Sequence, residues 1–285
     1  MHSYEEIAKN CLDLQKKGAE VEIIGTSKHG NKILLVSLGN GKKRVLIVCR
    51  QHGNEPTATE AMLEYIKEIL TQPKKKTQFI KEKTKIFVIP VANPDGAKIF
   101  EYLCKNNKTN LLTSYAARSN RPYIGDINRD HKKRKTPEAQ AIFYTVKRVQ
   151  PHLIIDLHNF FPAYRYFIFQ KAFYNFCPAF SAHVKIKPRI RKICYELCKV
   201  SMEAVSCVGG KSAKINGLWP GIDGRLLAVN EKVLETYYPL YFDIPSLTLE
   251  ALGGFYLCNR RIEEGKRLHK AAVHAILEKF VSMKS

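Results

Sequence analysis

A chain of 285 residues, 45% of them apolar, can bury a sizeable core and fits one large α/β domain spanning residues 1–285. Its formal charge of +21 admits anionic partners, yet no nucleic-acid motif accompanies Lys74-Lys-Lys76, Lys132-Lys-Arg-Lys135 or the basic run 185–192, so no nucleic acid is expected. No run of about eighteen apolar residues is present, which excludes a helical membrane span. Met1-His-Ser-Tyr-Glu-Glu6 lacks the basic start and apolar core of a secretory signal. The eight cysteines are scattered without a C-x-x-C pair and read as free thiols in a reducing, cytoplasmic compartment.

Ser3-x-x-Glu6 is a capping box opening a helix whose Ile7, Cys11 and Leu14 share one face, with Gly18 as its stop. Strand-like runs follow at Val21–Ile24 and Ile33–Leu38, separated by the turn signals Gly25 and Gly30-Asn31. A second turn, Gly39 to Lys42, leads into the apolar strand Val45-Leu-Ile-Val-Cys49, which runs straight into His52-Gly-Asn-Glu55. Thr57 to Leu70 has Ala61, Tyr65 and Ile69 at helical spacing, and Gln72 to Lys83 reads as a charged surface loop. A strand over Lys85–Val91 ends in the turn signal Asn93-Pro-Asp-Gly96. The polar stretch 101–136 reads as a long functional loop.

Pro137 opens a helix running to about Gln150, because its missing N–H costs nothing in a first turn. Leu153-Ile-Ile-Asp-Leu157 is a short strand that stops at His158. Further on come a strand over Ala163–Gln170, a helix over Arg189–Cys207 and a loop over Gly209–Asp223. Ser246–Leu249 is a strand ending at Glu250, and Arg261–Val281 is the closing helix. Strand and helix alternate along much of the chain, which predicts a mostly parallel sheet with helices on both faces.

Three strands thus end in residues able to bind or act on a metal: His52 with Glu55, His158, and Glu250. In open α/β sheets the ligand crevice lies outside the carboxyl ends of the strands, so these positions converge there. Two histidines and a glutamate make a three-ligand Zn²⁺ site whose fourth position is left to water, with Glu250 free to act as base. Taken singly each signal is weak. H-x-x-E arises by chance, a lone strand-end histidine is often structural, and Glu250 also reads as a turn carboxylate.

With these residues in order, the chain resembles the zinc carboxypeptidases of the carboxypeptidase A type. His52-Gly-Asn-Glu55 looks like that family's ligand pair, Asn93-Pro-Asp-Gly96 like its N-P-D-G segment, and Asp126-Ile-Asn-Arg129 like its D-x-N-R segment. Asp156-Leu-His158 resembles the strand delivering the third ligand, Thr248-Leu-Glu250 the strand of the catalytic glutamate, and Ile24-Gly-Thr-Ser…Gly30 an early strand. The likeness runs from about residue 21 to 255, looks closer to the compact bacterial and archaeal members than to the digestive enzymes, and implies a mixed, mostly parallel eight-stranded sheet. The aspartoacylase and succinylglutamate desuccinylase branch shares the ligand set.

The resemblance implies one zinc ion on His52, Glu55 and His158, Glu250 as general base, and Arg118 as oxyanion stabiliser, with Arg121 the competing candidate. It further implies that Asn128 and Arg129 grip a free carboxylate and that Asp126 accepts the second ring N–H of His52. The expected substrate is a peptide or acyl-amino acid with a free carboxylate. An amidase acting on acyl-amino acids or murein-type peptides is the alternative activity, and a non-catalytic basic binding protein the remaining one. His131 reads as a group behind the ligands, a substrate contact or a loop histidine. The family's mobile tyrosine has three candidates, Tyr237, Tyr238 and Tyr241. The acids and bases Asp223, Arg225, Glu231 and Glu235 leave the side-chain preference open.

Overall fold

The computed structural model describes residues 1–72, 74–119, 125–160, 175–181, 183–212, 230–253 and 261–283. Among these, seven strands form one sheet: β1 (Glu20–Thr26), β2 (Lys32–Leu38), β3 (Lys43–Cys49), β4 (Thr84–Ile89), β5 (Leu153–Phe160), β6 (Phe176–Phe180) and β7 (Ser246–Leu252). Their order is β1-β2-β4-β3-β5-β7-β6. The four central strands β4, β3, β5 and β7 are mutually parallel; β2 and β6 flank them antiparallel, and β1 pairs antiparallel with β2. The expected count of eight is therefore corrected to seven among the described residues; the strand expected over 163–170 lies outside them.

Side chains alternate across the central strands, and both faces are covered, which is why β3 reads as a continuous apolar run. Val45, Ile47 and Cys49 face one core together with Leu153, Ile155, Leu157, Leu247 and Leu249. Four helices cover that face: α1 (Tyr4–Gln15), α2 (Thr57–Thr71), and the two later helices Pro188–Cys207 and Ile262–Ser282. Leu46, Val48 and Ile154 face the other core, against Pro137–Val149 and Leu234–Phe242. With α3 (Lys75–Lys83), α4 (Pro94–Lys105) and α5 (Leu111–Ser119) counted, Pro137–Val149 is α6, Pro188–Cys207 is α7, Leu234–Phe242 is α8 and Ile262–Ser282 is α9. Each fully buried Leu or Ile in these layers contributes roughly 1.5–3 kcal/mol relative to exposure.

Several local expectations need correcting. The charged stretch 72–83 contains α3, a lysine-rich helix that buries only Thr77 and Ile80, too few to give a readable apolar period. The stretch 101–136 holds the end of α4, all of α5 and a 3₁₀ turn at Ile127–Arg129. Asn93-Pro-Asp-Gly96 is the start of α4, where the Asn93 side chain accepts from the Gly96 N–H at 2.8 Å. β6 escaped notice because it carries Pro178, tolerated on an edge strand where a missing N–H breaks no ladder. α8 contains Pro239 and is buried around most of its girth, so neither propensity nor periodicity marks it.

Cys11, Cys49, Cys177, Cys194 and Cys198 are buried free thiols, as expected, but Cys104 is disulfide-bonded, which corrects the free-thiol reading at that position. No helix among the described residues is long and apolar enough to cross a membrane.

Candidate active site

The segment leaving β3 is pinned from three sides. Cys49 and Arg50 accept backbone bonds from Ala92 and Asn93, and the Gly53 N–H donates to the Arg118 carbonyl. Asn93 also donates its side-chain amide to the Gln51 carbonyl. A Cβ on Gly53 would lie 2.1 Å from the Gly96 carbonyl carbon, so this turn requires glycine to let the start of α4 approach. Those contacts hold His52 and Glu55 in place, both almost fully buried.

β5 and β7 supply the remaining groups through their register. His158 pairs with Glu250 and Asp156 with Thr248, and by alternation all four point to the same side of the sheet. His52, Glu55 and His158 bring one ligand atom each within 4.8 Å of the others. The two Nδ1 atoms lie 3.1 Å apart, and each meets the Glu55 carboxylate, His52 at 2.8 Å and His158 at 2.9 Å.

The far sides of both rings are occupied. His52 Nε2 lies 3.1 Å from Asp126 Oδ1, and His158 Nε2 lies 2.8 Å from Asp156 Oδ2. With each Nε2–H donating outwards, both Nδ1 lone pairs converge on a carboxylate. Three electron-pair donors facing one another need a cation between them. Zinc fits: bonds of about 2.0–2.1 Å to N and O place tetrahedral donors roughly 3.3 Å apart, close to the observed spacings. Carboxylate–histidine pairing is also the usual way of fixing the tautomer of a metal-binding histidine.

The ionisable groups of the cluster also act strongly on one another. Burial opposes ionisation of Glu55, yet His52 and His158 outweigh it and hold the carboxyl well below its usual range. Burial likewise works against charge on His158, and the Asp156 and Glu55 carboxylates overcome it and raise the ring's pKa. Asp126 is lowered despite burial by His52 and Arg118. Glu250 is raised, by burial first and by Glu55 among its neighbours.

Arg118, near the end of α5, reaches Glu55 Oε1 at 3.2 Å and Asp126 Oδ2 at 3.6 Å. Arg121 lies outside the described residues, as do Asp223 and Arg225. Asp126 caps the 3₁₀ turn through the Asn128 N–H at 3.0 Å with the same oxygen that holds His52. Asn128 Oδ1 accepts from the Leu234 N–H, and Arg129 keeps a buried Nη1 with no partner among the described residues.

His131 is a correction to the idea of a loop or substrate-contacting histidine. It is fully buried, bonds Gln51 Oε1 at 2.9 Å, and Gln51 in turn donates to Asp156 Oδ2 at 2.6 Å. Burial lowers its pKa to about 4. Gln51 escaped the sequence reading because a glutamine beside a histidine carries no motif of its own. Asp156 was readable only as part of the strand, although its position two residues before His158 puts both on one face. Of the tyrosines, Tyr237 accepts from Arg134, Tyr238 packs against His131, and Tyr241 donates to Glu231. Glu235, on α8, is buried with Oε2 unpartnered among the described residues, and burial together with Asp156 pushes its pKa up to about 7.

A family model described as "Zinc carboxypeptidase" matches residues 4–172. "Carboxypeptidase 2" of Trichophyton tonsurans is 31% identical over 119 residues, which are 42% of this chain and 19% of that protein, so the match spans about a fifth of the curated relative. The metallo-carboxypeptidase of Burkholderia cenocepacia aligns at TM-score 0.69 and 18% identity, covering 97% of this chain and 68% of that one. That of Pseudomonas aeruginosa, in complex with (2-guanidinoethylmercapto)succinic acid, aligns at TM-score 0.69 and 19% identity, covering 97% and 68%. Bovine thrombin-activatable fibrinolysis inhibitor, in complex with tick carboxypeptidase inhibitor, aligns at 0.71 and 15%, covering 98% and 97%. At these identities the structural likenesses establish the fold.

Proposed function

The chain belongs to the zinc carboxypeptidase family, and on that footing we propose that it is a zinc metallocarboxypeptidase that hydrolyses the C-terminal peptide bond of its substrate within one catalytic domain, residues 1–285. The observation that carries the proposal is the convergence of His52 Nδ1, Glu55 and His158 Nδ1, each ring braced from behind by an aspartate. His52, Glu55 and His158 would hold a zinc ion there, and its chemistry would be to lower the pKa of a bound water towards 7 and to polarise the scissile carbonyl.

The remaining roles fall to this chain's own side chains. Glu250 takes a proton from the attacking water and delivers it to the leaving amine; its raised pKa makes it a better base than an ordinary carboxylate. Arg118 donates to the oxygen that becomes negative as the carbonyl is attacked. Asn128 and Arg129 hold the substrate's terminal carboxylate. In support, Arg129 buries a guanidinium N–H without a partner, a cost of about 1–3 kcal/mol that an incoming carboxylate removes. Asp126 and Asp156 keep the ligand rings oriented.

Glu235 supports a preference for a basic C-terminal side chain, since a buried carboxyl with a free oxygen gains most from a cation. The guanidino ligand of the Pseudomonas aeruginosa relative agrees with that choice.

The test is to incubate zinc-loaded protein with a library of peptides differing at the C-terminus and follow single-residue release by mass spectrometry. Release that favours Lys and Arg and disappears in Glu250→Gln is expected. Hydrolysis of N-acyl amino acids without release from any peptide would replace this reading with an amidase. Loss of nothing measurable in Glu250→Gln would leave a non-catalytic binding protein.

A further inference from the structure

The parallel strands β3, β5 and β7 have a second common end. Lys43 is the first residue of β3, His152 immediately precedes β5, and Pro245 immediately precedes β7. These three residues line a cleft of about 700 Å³, closed by the ends of α6, α7, α8 and α9. Strands of this length rise roughly 20 Å, so the cleft lies that far from the metal-ligand cluster, at the opposite pole of the sheet.

Two features define it. Its floor is apolar, built from Ile190, Ile193, Phe242, Ile244 and Phe280, of which Ile193, Phe242 and Ile244 keep exposed surface. Its walls are cationic, with Lys42, Lys43, Arg44, Lys147 and Arg189 drawn from three separate stretches of the chain. Asp243 is the one acid in the lining among the described residues, and it is paired with Lys187 at 2.5 Å. Lys43 donates to the carbonyls of Phe280 and Val281 at 2.7 and 3.1 Å, and Arg44 to that of Gln150 at 2.8 Å. Backbone dipoles orient those two charges without cancelling them. Lys42, Lys147 and Arg189 pair with no carboxylate among the described residues, whereas neighbouring Arg148 is paired with Glu22. His152 registers the same field, its pKa lowered by burial and then by Arg44 and Lys43.

A merely solvated basic face has no need of an apolar floor, and an apolar groove for a neutral molecule has no need of cations without carboxylate partners, one of which, Lys147, lies 5.7 Å over the Phe242 ring. Pockets of about 300–1,000 Å³ hold small molecules rather than folded partners. We infer that this cleft binds a small amphipathic anion, its apolar chain on the Ile193–Phe242–Ile244 floor and its carboxylate or phosphate head between Lys42, Lys147 and Arg189. It is a second ligand site, separate from the metal-ligand cluster, and it gives part of the chain's excess positive charge a location and a purpose.

Calorimetric titration of the zinc-loaded full chain with dodecyl phosphate below its critical micelle concentration tests the site. Saturable one-to-one binding is expected, with inorganic phosphate and dodecyltrimethylammonium each weaker by roughly tenfold or more. The exposed double substitution Lys42→Glu with Arg189→Glu should weaken dodecyl phosphate by roughly tenfold while zinc content, melting temperature and peptide hydrolysis stay at wild-type values. Ile193→Gln should weaken it too, without changing inorganic phosphate binding. Equal affinity for inorganic phosphate would reduce the cleft to a charged patch, and equal affinity for the cationic amphiphile to a greasy one. Binding to phosphatidylcholine–phosphatidylserine vesicles without binding of the monomer would make it a membrane-facing surface. Each of those outcomes, or wild-type affinity in the charge-reversed variant, overturns the inference.

Discussion

The Asp156 carboxylate receives His158 Nε2 at 2.8 Å from two residues away on the same strand, and it receives Gln51 at 2.6 Å through the same oxygen. It therefore fixes one candidate ligand ring and ties β5 to the segment after β3. Asp156→Asn should reverse the favoured hydrogen-bond polarity at Nε2 and lower zinc affinity by about 10–100-fold. Competition with a chromophoric chelator measures this, and circular dichroism should show the fold intact. Unchanged zinc affinity would reduce Asp156 to a purely structural carboxylate.

Removal of the ligands themselves should be harsher. His52→Ala or Glu55→Ala is expected to abolish stoichiometric zinc in metal analysis while the folded spectrum persists. In the wild-type protein, chelation should lower the melting temperature, because zinc at a hundredfold excess over its dissociation constant stabilises by about 2.7 kcal/mol. A metal that remains bound in both variants would refute the assigned ligand set.

Arg118 and Arg129 are predicted to fail in different ways. Arg118→Ala should lower kcat by about 10²–10³-fold with KM nearly constant, as for loss of an oxyanion donor. Arg129→Ala should act mainly on KM, and Arg129→Lys should not restore it, because an ammonium cannot donate in a parallel fork. Steady-state kinetics on one good peptide separates the two, and identical kinetic signatures would contradict the division of labour.

Glu235 links stability to pH. Its folded pKa of about 7 stands above the ordinary 4.5, so the folded state prefers the neutral acid. The associated stability is fully present below about pH 4.5 and is lost as pH rises through about 7. Glu235→Gln should match the wild type near pH 4 and exceed it at pH 8 by up to roughly 3 kcal/mol in denaturant unfolding. The same substitution should flatten the preference for Lys and Arg over Leu at the C-terminus. A variant less stable than wild type at pH 8 would mean that the carboxylate is ionised and paired.

Gly53→Ala is expected to cost about 3 kcal/mol or more, since its Cβ would meet the Gly96 backbone at 2.1 Å and neither chain segment is free to withdraw. Thermal unfolding checks this, and a shift of less than a degree would show that the turn yields.

Much of this site is legible in the residues alone because its members sit at strand ends, where position in a parallel sheet converts directly into proximity. His52, Glu55, His158 and Glu250 all follow that rule. What stayed hidden obeys other rules. Gln51 and His131 act through side-chain bonds between distant segments, and no local period or spacing records such a bond. α3 and α8 are helices by tertiary docking, the first too polar and the second too buried to display a face. β6 is a strand because an edge was available to it, Pro178 notwithstanding.

The candidate ligands belong to neighbouring strands that are distant in the chain: His52 follows β3, His158 lies on β5, and the two are separated by 106 positions. Pairing of β3 with β5 is thus a long loop closure, completed only after the segments between them have collapsed. Zinc has nothing to grip in the earlier ensemble. It should slow unfolding while leaving the refolding rate unchanged, acting as a lock on a finished sheet rather than a seed for it.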